Sequence, residues 1–215
     1  MQSRSLGNSR GTDVSHWQGD IRWDLVKKDG ISFAYIKATE GVDYQDRQFT
    51  KNLKEAKEAG ILVGAYHFCT PLDGRDALNE AEHFISVINN SGGFNLLDLP
   101  PVIDIEDSRG LNKKEITEVV AAWVTRVKKA AGIQPVIYSY SYFIRQYLDE
   151  SLCEIPLWLA HYDSELPPYC SGWHNWLFLQ YTDKGQISGI DGNVDLNEFS
   201  GSHQDLRMLC RQRGA

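Results

Sequence analysis

Short apolar runs alternate along this chain with segments in which apolar residues recur every three or four positions. The short runs are rich in β-branched and aromatic residues, which favour strands. They predict eight strands, at about 12–16, 33–39, 61–68, 99–107, 134–140, 155–161, 176–182 and 194–199.

The segments with helical spacing predict about five helices, at about 23–28, 47–59, 75–88, 113–131 and 141–148. The strongest of them follows the N-cap residue Asn112, has Glu115 three positions later, and ends at Gly132. Alternation of strands with helices is typical of a mainly parallel sheet, and eight such strands can close into a barrel. The predicted fold is therefore an α/β barrel in which loops, not clear helices, join the last three strands.

Polar residues collect where the predicted strands end. In β/α barrels the chemistry takes place at the carboxyl ends of the strands, so these residues are expected to form one ring around a site. The ring consists of Asp13 and His16, Lys37 and Glu40, Tyr66 and His67, Asp104 and Glu106, Tyr138 and Ser139, His161 and Tyr162, Gln180 and Tyr181, and Asp191 and Asp195.

Asp104 and Glu106 belong to a short strand that is otherwise apolar. Because successive strand side chains point to opposite faces, the two acids share one face, with Cα atoms about 6.5 Å apart. At that spacing each charge alters the proton affinity of the other, as acid/base catalysis requires. The alternative is a strand end with two solvated acids.

Composition excludes several classes of protein. The chain has 215 residues, of which 42% are hydrophobic, so it can bury the core of one domain. Its net charge of -7 and pI near 5.4 argue against a nucleic-acid partner, which needs a dense basic surface. The six Trp and ten Tyr residues exceed what packing requires and suit a cleft that binds sugar rings.

The chain has no apolar run long enough to span a membrane, and residues 1–10 are polar without the apolar centre of a secretory signal. We expect a flexible segment at 1–10, one catalytic barrel at 11–200 and a short tail at 201–215. The four cysteines have no CxxC spacing. Cys69 is expected to be a reduced core thiol, and Cys153 with Cys170 is the one pair considered for a disulfide.

Six motifs in register resemble those of the glycoside hydrolase family 25 lysozymes, the Chalaropsis-type muramidases of phage endolysins and bacterial autolysins. The resemblance implies an irregular, TIM-like β/α barrel with eight strands, and hydrolysis of the β-1,4 bond from N-acetylmuramic acid to N-acetylglucosamine. The motifs are 13–19 (DVSHWQG), 36–41 (IKATEG), 64–68 (GAYHF), 104–106 (DIE), 157–160 (LWLA) and 192–197 (GNVDLN).

The same resemblance implies roles for individual residues. Glu106 matches the general acid, and Asp104 matches its partner carboxylate. Asp13 and Asp195 match the acids of the first and last strands. Tyr66 matches a tyrosine close to the reacting sugar. Further candidates for substrate contacts are Tyr138, Trp158, Tyr162, Tyr181, Lys37 and Asp191.

In the mechanism expected from these residues, Glu106 gives a proton to the leaving oxygen, and its pKa is raised by Asp104 and by partial burial. Asp104 is expected to stay ionised, and the family resemblance implies that it orients or stabilises the 2-acetamido group of the substrate as an internal nucleophile. The competing version has a carboxylate that activates water. No cofactor is expected.

Two other functions fit the same ring of residues. One is a metal-dependent carbohydrate hydrolase or deacetylase that uses Asp13, His16, His67, Asp104 and His161 as ligands, although their spacing matches no known metal signature. The other is a non-catalytic barrel that binds cell walls. Retention of all four acids argues against a pure binding protein.

The expected partner is bacterial cell-wall peptidoglycan, with no nucleic acid and no membrane, and the protein is expected to be a monomer. It is expected to act on the cell wall, outside the cytoplasm. Since no classical signal precedes residue 11, release by a holin or another route is expected.

Overall fold

A ring of eight strands forms the centre of the computed structural model, which describes residues 1–72, 74–163 and 166–211, with the backbone alone for residues 74, 75 and 211. A ninth strand, β3, is a two-residue addition to the end of β2. The strands are β1 (Ser9–Val14), β2 (Phe33–Glu40), β3 (Tyr44–Gln45), β4 (Leu62–Phe68), β5 (Val102–Asp104), β6 (Val136–Tyr140), β7 (Leu157–Ala160), β8 (Phe178–Gly185) and β9 (Val194–Phe199).

The ring is mostly parallel. Strands β1, β2, β4, β5, β6, β7 and β8 pair with their neighbours in parallel in that order. The last strand, β9, lies antiparallel between β8 and β1 and closes the barrel. The predicted α/β barrel of eight strands is confirmed.

Helices surround the barrel. They are α1 (Trp23–Lys28), α2 (Phe49–Glu58), α3 (Gly74–Asn90), α4 (Lys113–Ala131), α5 (Ser141–Tyr147) and α6 (His203–Arg211). The side chain of Asn112 accepts hydrogen bonds from the backbone N–H groups of Lys114 and Glu115, and Glu115 bonds back to Asn112, so α4 begins with the capping box that the sequence predicts. None of the described helices is long and apolar enough to cross a membrane.

The strands bury both faces. Along β2, Phe33 and Tyr35 point into the barrel, while Ala34 and Ile36 pack outward against the helices. The interior is filled mainly by aromatic rings. Gly64 is required beside them, because a Cβ there would lie 2.2 Å from the ring of Tyr35.

The chain ends differ from the sequence prediction. Ser9 and Arg10 belong to β1, and Gln2 exchanges hydrogen bonds with the backbone of Trp176, so residues predicted to be flexible lie against the barrel. The predicted tail contains α6, a sixth helix, whose Leu206 packs into the barrel interior. Residues 212–215 of that tail lie outside the described residues.

Cys153 and Cys170 are free cysteines, so the disulfide considered for them does not form. Cys69 is buried and reduced, as the sequence predicts. Burial raises the pKa of its thiol well above the usual range, so this thiol stays protonated.

Candidate active site

The inward-facing positions of the strands change from apolar to polar towards one end of the barrel. In β2 the order is Phe33, Tyr35 and then Lys37, and in β8 Phe178 is followed by Gln180. Because inward side chains recur every second residue, this change places a polar layer directly above the apolar core. The layer lies at the carboxyl ends of the parallel strands, where the sequence analysis expects the site.

A cleft with a volume of about 270 Å³ opens above this layer. Nine of the predicted site residues line it. These are Asp13, Lys37, Tyr66, Asp104, Glu106, Tyr138, Trp158, Tyr162 and Asp195.

Asp13 is buried and held by two side-chain amides. Its Oδ1 atom accepts hydrogen bonds from Asn197 Nδ2 at 2.7 Å and from Gln180 Nε2 at 3.0 Å. Burial raises the pKa of Asp13 to about 6, and the two amide hydrogen bonds oppose this rise. The carboxylate is therefore stabilised by donors that the fold supplies.

Donors elsewhere in the cleft fix the orientation of both amides. The indole N–H of Trp158 donates to Asn197 Oδ1 at 2.9 Å, and the hydroxyl groups of Tyr138 and Tyr162 donate to Gln180 Oε1 at 2.8 and 2.6 Å. An amide oxygen that accepts such bonds must direct its NH₂ group the other way. In both residues the NH₂ group points at Asp13.

Asp104 is buried and Glu106 is partly exposed, and the pKa of each is raised, first of all by burial. The charges of Glu106 and Asp13 raise the pKa of Asp104 further, while Lys37 lowers it. A hydrogen bond between the two carboxyl groups raises the pKa of Asp104 and lowers that of Glu106. The two carboxyl groups therefore act as a coupled pair that keeps a shared proton at higher pH than an isolated carboxyl group does.

Asp195 lies on β9 directly opposite Asp13, and the two residues are partners in the β1–β9 register. Burial, and then the neighbouring charges of Asp13, Asp183 and Glu106, raise its pKa to about 8. The cleft thus holds four carboxyl groups with raised pKa values and can keep protons at neutral pH.

Lys37 is the cation among the residues that line this cleft. It is nearly buried, and its Nζ donates to Glu40 Oε2 at 2.6 Å. It also lies 4.8 Å from the centre of the Phe68 ring. Its charge faces Asp104 and favours the ionised form of that carboxyl group.

The family described as "Glycosyl hydrolases family 25" matches residues 12–190 of this chain. The chain belongs to that family. Uncharacterized protein YegX of Escherichia coli K12 is 38% identical over 202 residues, which cover 92% of this chain and 71% of that protein. Lysozyme M1 of Streptomyces globisporus is 37% identical over 212 residues, with coverages of 94% and 71%.

The structure of a bacterial lysozyme from Streptomyces coelicolor matches this family 25 chain with a TM-score of 0.87 and 34% identity. The match covers 98% of this chain and 100% of the other. The resemblance inferred from the six motifs is confirmed. The roles of the individual site residues stay predictions.

Two predicted substrate contacts of the family 25 chain lie away from the cleft. Tyr181 follows the inward-facing Gln180 and therefore points outward, where its ring stacks under the guanidinium of Arg4 at 3.7 Å. Asp191 is exposed in a separate surface hollow that Asp29 also lines. Neither lines the cleft.

The five predicted metal ligands are dispersed. His16 bonds to Asp46 at 2.8 Å, and His161 lies in another hollow beside Asp163. His67 follows the cleft residue Tyr66 and points to the other face of β4. Only Asp13 and Asp104 of the five line the cleft.

Behind β4, potential ligand atoms of His67, Cys69 and Glu80 lie within 4.8 Å of one another, all buried. Hydrogen bonds already use two of these residues. His67 Nε2 lies 2.7 Å from Glu80 Oε2, which also accepts from the backbone N–H of Thr70 at 3.0 Å. This arrangement ties β4 to α3 and faces away from the cleft.

The sequence analysis assigned no role to four residues that the structure places in or beside the cleft, Ser15, Trp17, Phe68 and Asn197, and it placed a fifth, Gln180, only in the expected ring of polar residues. Asn197 holds Asp13, and Ser15, Trp17, Phe68 and Gln180 line the wall. Asn197 and Gln180 are neutral amides, and their function depends on strands far away in sequence. The signal for Gln180 was its position at a strand end. The signal for Trp17 was its place in the first motif.

Proposed function

We propose that this family 25 chain hydrolyses peptidoglycan as a muramidase, cleaving the β-1,4 bond between N-acetylmuramic acid and N-acetylglucosamine. The observation that carries this is the pair Asp104 and Glu106 in the cleft, where burial raises the pKa of both carboxyl groups. Glycoside cleavage needs a carboxylic acid that keeps its proton until it meets the leaving oxygen. Relatives named lysozyme M1, autolytic lysozyme and N,O-diacetylmuramidase support the substrate class.

In this proposal Glu106 is the general acid. It is the more exposed member of the pair, so it is the one that can reach the leaving oxygen. A bound sugar removes water from Glu106 and raises its pKa further, while Lys37 continues to favour the ionised form of Asp104. With substrate bound, Glu106 therefore holds the proton of the pair and Asp104 is ionised.

As the ionised member of the pair, Asp104 carries a negative charge beside the reacting sugar. That charge can orient the substrate's 2-acetamido group as an internal nucleophile and stabilise the positive charge that develops on the ring. Asp13 and Asp195 add negative potential from β1 and β9. Tyr66, Tyr138, Trp158 and Tyr162 provide ring faces and hydroxyl groups for sugar contacts.

Product analysis tests the bond that is cleaved. Purified cell walls are digested, the new reducing ends are reduced with borohydride, and the reduced sugars are identified by mass spectrometry. The proposal predicts reduced muramic acid. Reduced glucosamine would indicate a glucosaminidase and new free amines an amidase, and either result would contradict the proposal.

The catalytic barrel is assigned to residues 11–200, extended by Ser9 and Arg10 of β1 and by α6, whose Leu206 packs into the barrel interior, and it is expected to act as a monomer. It would act at the cell wall after release by a holin or another route, without a membrane partner. Light scattering after gel filtration tests the monomer, and a mass near 24.4 kDa is expected.

A further inference from the structure

Trp17 is the most exposed aromatic residue beside the cleft. Its side chain is 81% exposed, whereas the other tryptophan of the cleft, Trp158, is almost fully buried. Single exposed apolar residues are common on protein surfaces, but an indole on the wall of a polar cleft provides a flat apolar face next to the reacting groups. Its surroundings decide whether that face is preorganised.

The ring of Trp17 rests on the ring of His16, with centroids 4.6 Å apart and planes tilted by 35°. His16 is itself fixed by Asp46, whose Oδ2 lies 2.8 Å from His16 Nδ1 and accepts from the backbone N–H of His16 at 3.0 Å. Asp46 is buried and bonds through its own N–H to Ala38 in β2. The indole is therefore supported from the barrel wall.

The backbone that carries Trp17 is also held in place. Ser15 and Gln18 form a reciprocal capping box around this single turn, and the turn ends at Gly19, whose φ of 62° favours glycine. A turn closed at both ends loses little further conformational freedom on binding. The indole contacts the ring of His16 and is otherwise open to solvent.

We infer that Trp17 is a stacking platform for a sugar ring of the glycan strand outside the position where the bond is cleaved. The C–H face of a pyranose is apolar and packs on an aromatic ring, while its substituents can reach polar neighbours such as Ser15. The four carboxyl groups lie deeper in the cleft than the exposed indole, so the sugar on Trp17 is not the reacting one. This inference rests on the proposed function and adds a subsite to it.

The test is the dependence of kcat/KM on glycan length, measured with muramic acid and glucosamine oligosaccharides of increasing size. The kcat/KM of the wild type should increase once the oligosaccharide is long enough to reach Trp17. In Trp17→Ala this gain should fall by about ten-fold, mainly through KM, while the shortest cleaved substrate is unaffected. Trp17→Phe keeps a ring and should retain most of the gain.

The matched control is Tyr142→Ala, which removes an exposed aromatic side chain on α5 that lines no part of the cleft. It should match the wild type at every length. An unchanged length dependence in Trp17→Ala, or an equal loss at all lengths, would overturn the inference. Both outcomes are distinct from failure of the proposed function, in which the wild type would release no reducing ends on muramic acid.

Discussion

Asn197 donates a 2.7 Å hydrogen bond to Asp13 across 184 residues of sequence. The indole N–H of Trp158 donates to the oxygen of this amide and so keeps its NH₂ group directed at Asp13. Three strands of the barrel, β1, β9 and β7, thus determine how one carboxylate is solvated. The arrangement stabilises the charged form of a carboxyl group that burial would otherwise keep protonated.

Replacing Asn197 should therefore shift the pH dependence of activity. Asn197→Ala removes a bond that lowers the pKa of Asp13, so this pKa should rise above its present value of about 6. If Asp13 works as a carboxylate, the acid limb of the kcat/KM profile should move to higher pH by about one unit, the scale of a hydrogen bond to a charged group. The profile is measured between pH 4 and 9.

Trp158→Phe provides a second variant for this prediction, because it keeps an aromatic ring but no longer orients the Asn197 amide. It should move the acid limb in the same direction by a smaller amount. Asn89→Ala, on the exposed face of α3, serves as the control. An acid limb that stays in place in both cleft variants would show that Asn197 does not act through Asp13.

Glu106→Gln should lower kcat by about 10²–10⁴-fold, because the amide has nearly the same shape but no proton to donate. Release of reducing ends from purified walls gives the rate, and circular dichroism with thermal unfolding checks the fold. Glu118→Gln makes the same chemical change on the exposed side of α4 and should have no effect. Wall lysis at the wild-type rate by Glu106→Gln would show that Glu106 is not the general acid.

The carboxyl groups of the cleft should make the protein less stable at high pH. Asp195 has a pKa of about 8 in the folded protein against 3.8 for an exposed aspartate, so the folded state binds its proton more tightly than the unfolded state does. The stability that the protonated Asp195 contributes to the fold is fully present below pH 3.8 and is lost as the pH rises through about 8. Asp195→Asn should raise the Tm at pH 8 and leave it nearly unchanged at pH 4.

Thermal unfolding of the two proteins across this pH range is the measurement. Comparing the two proteins separates the effect of Asp195 from that of exposed acids such as Asp20 and Asp205. The pKa values of those acids are lowered, so their contribution to stability is lost at low pH and not at high pH. A Tm difference of the same size at pH 4 and pH 8 would contradict the raised pKa of Asp195.

Chelators should leave activity unchanged. Of the five residues that could have formed a metal site, His16, His67 and His161 lie outside the cleft, and the two acids that remain do not make a ligand set for zinc. Wall digestion is measured before and after dialysis against EDTA. Activity that disappears and returns with a divalent cation would instead favour the metal-dependent reaction.

Tyr162, two residues after β7, and Tyr181, in β8, form a matched pair of tyrosines. Tyr162 donates its hydroxyl to Gln180 at 2.6 Å and lines the cleft, whereas Tyr181 faces Arg4 on the outside. Tyr162→Phe should reduce kcat/KM by about three- to ten-fold through the lost hydrogen bond. Tyr181→Phe should not. Equal effects of the two substitutions would contradict the assigned orientation.

The order of strands and helices could be predicted from the sequence, because these elements depend on local patterns. The α4 helix is an example, with its cap at Asn112 and its end at Gly132, both of which depend on contacts within one turn. The six motifs likewise identified the family, and the spacing of Asp104 and Glu106 placed both acids on one face. These features need no knowledge of distant residues.

The inward or outward direction of each strand position was decided by the tertiary structure. The sequence analysis placed Tyr66 with His67, and Gln180 with Tyr181, in one ring of polar residues. Successive strand residues point in opposite directions, so only one of each pair faces the cleft, and that choice is set by pairing with neighbouring strands.

The solvation of Asp13 and the raised pKa values of Asp104 and Glu106 also required the closed barrel. Asn197 reaches Asp13 because β9 pairs with β1, and the pKa values of Asp104 and Glu106 are raised because the fold buries both carboxyl groups in the cleft. Local sequence determines which chemical groups a strand carries. Burial and charge at each group depend on residues brought together by long-range pairing, so the structure alone decided them.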